Sequence, residues 1–366
     1  MKRVLLFSHD PGGANVIIPL VKPLLDLGHE VLLYGKDIAL DKYQAEGIVT
    51  AVNITDELSE PTIVSISLWI TKLAPDYIIT GTSASDITEK LIWKAAESVG
   101  IPTFVILDSW IDYRLRFSKY TIGERDLYDK NRELDYLPSK IFTMDDYAKR
   151  EMIKEGIPVE LIEITGHPYF DYLRDKALSL PNPDKKGHNE TIIAFISQPL
   201  IEIYGFSDGV PYWGYTEKEI FQHLIDALFV VYGEKSGKVK LVVRPHPKEK
   251  VDEWLKEAEV HSCDWLDIYI DKETDQLSLM MNSDVIAGMF STFLIESVVL
   301  NKPTVSIQIG LNKENPFVLD KINVLKSAGS QEELVERLRN SKENVNDFKL
   351  TSNSVSNIIS ITERIV

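Results

Sequence analysis

Short apolar runs alternate with amphipathic helical stretches along this chain, and that alternation constrains the fold more than any other feature. In the first half the runs are Val4–Phe7, Val31–Tyr34, Tyr77–Thr80, Thr103–Leu107, Ile141–Thr143 and Ile162–Thr165, with Ile48–Val52 a further candidate. Helical spacing of apolar residues fills the gaps at about Thr62–Leu73, Ile87–Val99 and Asp145–Glu155. A strand buried on one face alternates apolar with polar residues, whereas one buried on both faces reads as an unbroken run. Such runs separated by helices therefore predict parallel sheets covered on both sides. The pattern breaks at the polar, Pro- and Gly-containing stretch Leu180–Glu190 and then resumes at Ile192–Ile196. A helix near Thr216–Tyr232 follows, with strands at Lys240–Val243, Ile268–Ile270, Val285–Ala287 and Thr304–Ile307, and helical stretches at Glu332–Arg339 and Ser354–Ile365. The expected fold class is α/β with two Rossmann-like parallel-sheet domains facing a central cleft. The expected divisions are residues 1–178, a linker at 179–191, residues 192–345, and a C-terminal helix in 346–366 that returns to the N-terminal domain.

With 366 residues the chain is long enough for two cores of ordinary size. Its 40 basic side chains face 56 acidic ones, a net charge of −16. A nucleic-acid binder needs a basic stripe, so no nucleic-acid partner is expected. The single cysteine, Cys263, permits no intrachain disulfide and fits a reducing compartment. No apolar stretch approaches the roughly 18 residues of a membrane helix. These properties point to a cytoplasmic protein with at most peripheral contact at the inner face of a membrane.

In an open parallel sheet, ligands bind beyond the carboxyl ends of the strands, beside helix N-termini. Two such ends in the second half carry anion-binding chemistry. Leu241–Lys248 runs from strand into a proline-stiffened turn bearing Arg244, His246 and Lys248. Guanidinium and imidazole groups both donate to phosphate oxygens, although a solvated strand-end turn is the plain alternative. Asp284–Glu296 runs from strand through Ser291 and Thr292 into a helix, whose free N–H groups suit an anion and whose Ser and Thr also suit simple capping. Glu296 falls one helical turn after Thr292, where a carboxylate can accept the hydroxyls of a ribose. Ser197 and Gln198, after Ile192–Ile196, offer small donors at a third strand end.

In the first half, the loop Ser8–Asn15 follows the opening strand. It lacks G-x-G-x-x-G spacing, yet Gly12 and Gly13 allow a ligand close approach to the backbone. Asp10 is a candidate general base, with helix capping as its alternative role. Asp108 is a weaker rival at another strand end, and His167, in Thr165–Pro168, is a candidate for the cleft or for a structural turn. The seven histidines, at positions 9, 29, 167, 188, 223, 246 and 261, are scattered, so no metal site and no cofactor are expected.

This order of pieces resembles the two-Rossmann-domain (GT-B) nucleotide-sugar glycosyltransferases. The residues that carry it are the Gly-rich opening loop, Leu27–Val31, Pro75–Ile79, Thr165–Pro168 with Asp171, and Ser291–Thr292 with Glu296 and Lys302–Pro303. Arg244–Pro247 and Ser197–Pro199 look like the bacterial surface-polysaccharide branch, which includes capsule sialyltransferases and the CDP-glycerol glycerophosphotransferases. That resemblance implies phosphate-holding roles for His246, Ser291 and Thr292. It also implies a metal-independent transferase moving a sugar or polyol phosphate from a nucleotide-activated donor to a saccharide or glycolipid acceptor, with His246 and Asp10 in catalytic roles. The acidic element that supplies the base in sialyltransferases has only a partial counterpart in Asp10–Gly13. Non-hydrolysing UDP-N-acetylglucosamine 2-epimerases share this fold and a similar turn around Thr165–Asp171, and they are the alternative. A non-catalytic nucleotide-sugar binder is the third reading.

Overall fold

The computed structural model describes residues 1–181, 190–233, 238–341, 348 and 351–366. Most of the expected linker (182–189) and the start of the expected C-terminal segment (346, 347, 349 and 350) lie outside the described residues. The chain divides into two units, Met1–Tyr172 with Leu350–Val366, and Leu173–Lys349.

The first unit is built on seven strands: β1 (Arg3–Ser8), β2 (Glu30–Gly35), β3 (Val52–Asn53), β4 (Tyr77–Thr80), β5 (Thr103–Ile106), β6 (Lys140–Thr143) and β7 (Ile162–Ile164). Their order across the sheet is β3-β2-β1-β4-β5-β6-β7, and every pair is parallel. The unbroken apolar runs are explained by burial: Val4, Leu5, Leu6 and Phe7 are wholly enclosed, as are Tyr77, Ile78 and Ile79. Val4 and Leu6 face one core with Ile358 and Ile359, while Leu5 and Phe7 face another with Ile66 and Ile92. The helix Ser354–Ile365 thus covers one face of this sheet. Asp171 accepts the Ser354 N–H at 2.7 Å, and the Asn357 amide donates to the Thr165 carbonyl at 3.0 Å.

The second unit contains β8 (Glu190–Ile196), a small antiparallel hairpin of β9 (Phe206–Ser207) and β10 (Val210–Pro211), then β11 (Lys238–Arg244), β12 (Leu266–Ile270), β13 (Val285–Gly288) and β14 (Thr304–Ser306). Its five-stranded sheet runs β12-β11-β8-β13-β14, again all parallel. In each unit the strand order reverses beside the opening strand, between β1 and β4 in the first and between β8 and β13 in the second. Ligands of open α/β sheets bind at such reversal points, where neighbouring loops diverge to opposite faces.

Two local expectations need correction. The opening loop ends early: a helix starts at Pro11 and runs to Asp26, so Gly12 and Gly13 lie in its first turn. Proline is favoured at that first position because the N–H it lacks would be unpaired anyway, and Asp10 caps the turn. The third strand is the pair Val52–Asn53 rather than Ile48–Val52, because the chain is still turning at Val49 and Thr50.

Candidate functional site

At the reversal point of the first unit, three loops bring carboxyl groups together. The β1 loop supplies Asp10, whose Oδ1 accepts the Gly13 N–H at 2.8 Å. The β5 loop supplies Asp108, which receives Arg116 Nη1 at 2.6 Å. A Cβ on Gly12 would collide with Asp108 Oδ2, so only glycine lets this carboxylate reach the helix start. The β4 loop leads into the helix Thr88–Ser98 and its Glu89, wholly buried. Glu89 Oε2 accepts the Ser83 N–H, and Oε1 has no hydrogen-bond partner.

Burial, followed by the negative charge of Asp108, pushes the Asp10 carboxyl above its ordinary value; hydrogen bonds from Gly13 and Ser83 oppose the shift. Glu89 is pushed well above its ordinary value, by burial first and then by Asp10. Among the described residues no cation bonds to Asp10 or Glu89. Arg116, 6% exposed, also donates to the Thr82 carbonyl, Ser109 Oγ and the Ile111 carbonyl. Lys36 bonds Asp86 at 2.5 Å. Lys90 donates to the Leu115 and Tyr120 carbonyls at 3.1 and 2.5 Å, and burial lowers its pKa to about 8. Lys90 and Arg116 thereby tether the irregular segment that follows β5.

His167 is buried in this unit as well. Its Nε2–H donates to the Asp108 carbonyl at 3.2 Å, and its ring stacks on Phe170 at 3.9 Å between centroids. Burial lowers its pKa to about 4, so the ring is neutral at pH 7. The preceding Gly166 has φ +89, and a Cβ there would strike Ser354 and Thr351. His167 therefore holds the Asp108 loop rather than presenting itself at the strand ends.

In the second unit the strand-end residues are organised by Glu249. Its Oε2 accepts the His246 N–H at 2.6 Å, and its Oε1 accepts Ser197 Oγ at 2.7 Å and Trp254 Nε1 at 3.1 Å. His246 Nδ1 accepts the Lys248 N–H at 3.2 Å, which leaves Nε2 as the protonated nitrogen. Partial burial and the charge of Lys248 lower the His246 pKa, so at neutral pH the ring is a neutral donor. Gln198 Oε1 accepts the Phe290 N–H at 2.9 Å, tying the β8 loop to the β13 loop across the reversal point. Ser291 caps the helix Thr292–Val299 by position, yet its hydroxyl makes no capping bond and is buried without a partner. Thr292 is exposed at the first helical position. Glu296 accepts from the Gln276 amide. The Arg244 guanidinium is turned onto the segment after β12, donating to the Lys272 and Thr274 carbonyls and pairing with Asp271 at 3.3 Å.

The first unit thus gathers Asp10, Gly12, Gly13 and Asp108, with His167 behind them. The second gathers Ser197 and His246 through Glu249, and Gln198 beside Ser291. Arg244 faces the segment after β12 instead, and the Lys248 side chain is exposed. Sequence reasoning missed Glu89, Ser83 and Glu249. A signal for Glu89 was present: with Ile92, Trp93 and Ala96 it occupies the apolar face of its helix, where a carboxylate is out of place. Glu249 carried none beyond its spacing from His246. Among the described residues no group of three or more His, Cys, Asp or Glu is arranged to hold a metal, and no helix is long and apolar enough to cross a membrane.

Neither a family model nor any curated protein matches the sequence. Solved structures do match over the whole chain. A protein of Listeria monocytogenes assigned as a UDP-N-acetylglucosamine 2-epimerase aligns with a TM-score of 0.70 at 13% identity, over 100% of this chain and 96% of the other. The UDP-GlcNAc 2-epimerase of Methanocaldococcus jannaschii aligns at 0.67 and 13%, over 99% of each chain. The UDP-GlcNAc 2-epimerase of Neisseria meningitidis, solved with UDP-GlcNAc bound, aligns at 0.65 and 15%, over 99% and 100%. At these identities the likeness shows the fold: two Rossmann-like parallel-sheet units of the GT-B type. The same structures correct the expected activity. Many of the matching structures are UDP-GlcNAc 2-epimerases, so the epimerase alternative fits better than glycosyl transfer, and the sialyltransferase or glycerophosphotransferase branch is not supported. The motifs that suggested a transferase are strand-end donors and a Ser-Thr helix start, which serve any nucleotide diphosphate whatever happens to its sugar.

Proposed function

We propose that this chain is an isomerase of a UDP-activated amino sugar, of the UDP-N-acetylglucosamine 2-epimerase kind. The observation that carries the reading is the pair Asp10 and Asp108 at the reversal point of the first unit. Inverting a carbon that bears hydrogen requires one group to take the proton and a group to return it on the opposite face. Two carboxyl groups in different environments suit those roles. Asp108 is held as an ion pair by Arg116, while Asp10 is half-buried and inclined to keep a proton. The second unit would hold the nucleotide through the neutral His246 donor, Ser197, Gln198 and the Ser291 helix start, with Glu296 available to ribose hydroxyls. Further support comes from solved structures of this fold, two of which carry UDP-GlcNAc.

The test is incubation of the protein with UDP-GlcNAc in deuterated buffer, with EDTA present, followed by proton NMR. Loss of the C2 proton signal and appearance of a second sugar nucleotide are expected. Unchanged spectra, with no exchange at C2, would sink the assignment.

A further inference from the structure

Glu89 is a buried carboxyl to which the isomerase reading gives no task. Its position is defined by two glycines. A Cβ on Gly81 would lie 2.7 Å from Gly13 Cα and 3.0 Å from Glu89 Oε1. A Cβ on Gly13 would lie 3.2 Å from Asp10 Oδ1 and 3.5 Å from Glu89 Oε1. Both carboxyl groups therefore converge on Gly13, where the β1 and β4 loops touch. Asp10 is partly exposed to solvent, and Glu89 is not.

The groups that face Glu89 are Asp10 from the β1 loop, Asp86 from its own loop, Asp108 from the β5 loop, Tyr43 from the helix Ile38–Ala45, and Lys90 beside it. Among the described residues no cation bonds to it. Arg116 is paired with Asp108, Lys36 with Asp86, and Lys90 with two backbone carbonyls. Ser83 lies between the two carboxyl groups: its N–H donates to Glu89, and its hydroxyl, which accepts the Ser85 and Asp86 N–H groups at 3.1 Å, acts to lower the Asp10 pKa.

We propose that Glu89 is a positioning residue, the proton-holding partner of Asp10. It remains a neutral carboxylic acid and, through Ser83, presents Asp10 as the group of the pair that exchanges protons with substrate. A buried carboxylate with one oxygen unpaired is costly, and a neutral acid relieves that cost. The upward push on Glu89 from burial and from Asp10 agrees. Interacting carboxyl groups of this kind titrate as a pair. Loss of the Glu89 proton would put a second negative charge behind Asp10 and close the site to proton transfer. The kinetic consequence rests on the isomerase reading; the protonation of Glu89 does not.

Wild-type protein and Glu89→Gln are compared by melting temperature from pH 5 to 9, and by C2 exchange of UDP-GlcNAc over the same range. The folded-state pKa of Glu89 is raised, so its stabilising effect is complete below the unfolded value and is lost as pH rises toward the folded one. Glutamine has no such ionisation. The melting temperature of Glu89→Gln should therefore rise relative to wild type with increasing pH, by at most about 3–5 °C per pH unit. Parallel melting curves would overturn the proposal. Should Glu89→Gln fail to fold, the infrared carbonyl band of a protonated carboxyl in wild-type protein near pH 7 decides the same point, and its absence counts against the pair. In the kinetic arm, Glu89→Gln should keep the KM for UDP-GlcNAc and lose the alkaline decline in turnover. An unchanged alkaline limb would refute the positioning role. Wild-type protein that exchanges nothing at C2 sinks the isomerase reading, and the melting curves then decide the carboxyl pair alone.

Discussion

Individual side chains in the first unit differ in what surrounds them, and that difference sets their roles. Asp10 and Asp108 both reach the helix start at Pro11, but only Asp108 has a guanidinium partner. General acid–base groups typically contribute about 10²–10⁴-fold to a rate. Asp10→Asn and Asp108→Asn should each cut C2 exchange of UDP-GlcNAc at least about a hundredfold, while the rise in melting temperature on adding UDP stays intact. Loss of the UDP response in either variant would place that residue in nucleotide binding instead. His167 gives a prediction of a different kind. Its pKa is lowered from 6.5 to about 4 by burial, so the folded state favours the neutral ring. The corresponding stability is present above pH 6.5 and is lost as pH falls toward 4, a change of about 3 kcal/mol. Urea midpoints measured between pH 7 and 4 should show this loss in wild type. His167→Phe should flatten it, at a cost near 1 kcal/mol at pH 7 for the missing bond to the Asp108 carbonyl.

At the scale of elements, two loop contacts hold the candidate site in shape. Glu249 ties together the β11 turn, the β8 loop and Trp254 on the helix Val251–His261. Glu249→Ala leaves the His246 N–H and Ser197 hydroxyl unpaired, which costs about 1–3 kcal/mol. UDP affinity, read by calorimetric titration, should fall about tenfold, which is about 1.4 kcal/mol. An unchanged affinity would mean that the β11 turn keeps its shape without Glu249, or does not touch the nucleotide. In the first unit, Gly81→Ala would press a methyl group to 2.7 Å from Gly13 Cα, and the obstacle is backbone. Overpacking of this kind costs about 1–3 kcal/mol, and the variant should be less stable in urea and inactive, because the β1 and β4 loops can no longer meet.

For the whole molecule, the expected response to ligand follows from mass action. UDP at a hundred times its Kd adds about 2.7 kcal/mol to the stability of whatever it binds. With two units in the chain, a scanning calorimeter should show UDP raising the transition that belongs to Leu173–Lys349, with or without EDTA. The parallel sheets themselves were legible from the sequence, because burial on both faces demands unbroken apolar runs such as Val4–Phe7 and Ile192–Ile196, and here such runs alternate with amphipathic helices. The strand ends were legible too: Arg244, His246 and Ser291 were recognisable because a polar residue just after such a run must lie at the carboxyl edge of the sheet. What those residues face was decided by tertiary structure. Arg244 turns onto the segment after β12 because Asp271 and two carbonyls stand there, 27 to 30 residues further along the chain. Asp10, Glu89 and Asp108 are nearly 100 residues apart at the extremes and meet only because β1, β4 and β5 are neighbours in the sheet. Spacing along the chain reports the period of one element, so it marks a face or an end. The proton affinity of a carboxyl depends on burial and on charges brought from other elements, and only the assembled sheet supplies those.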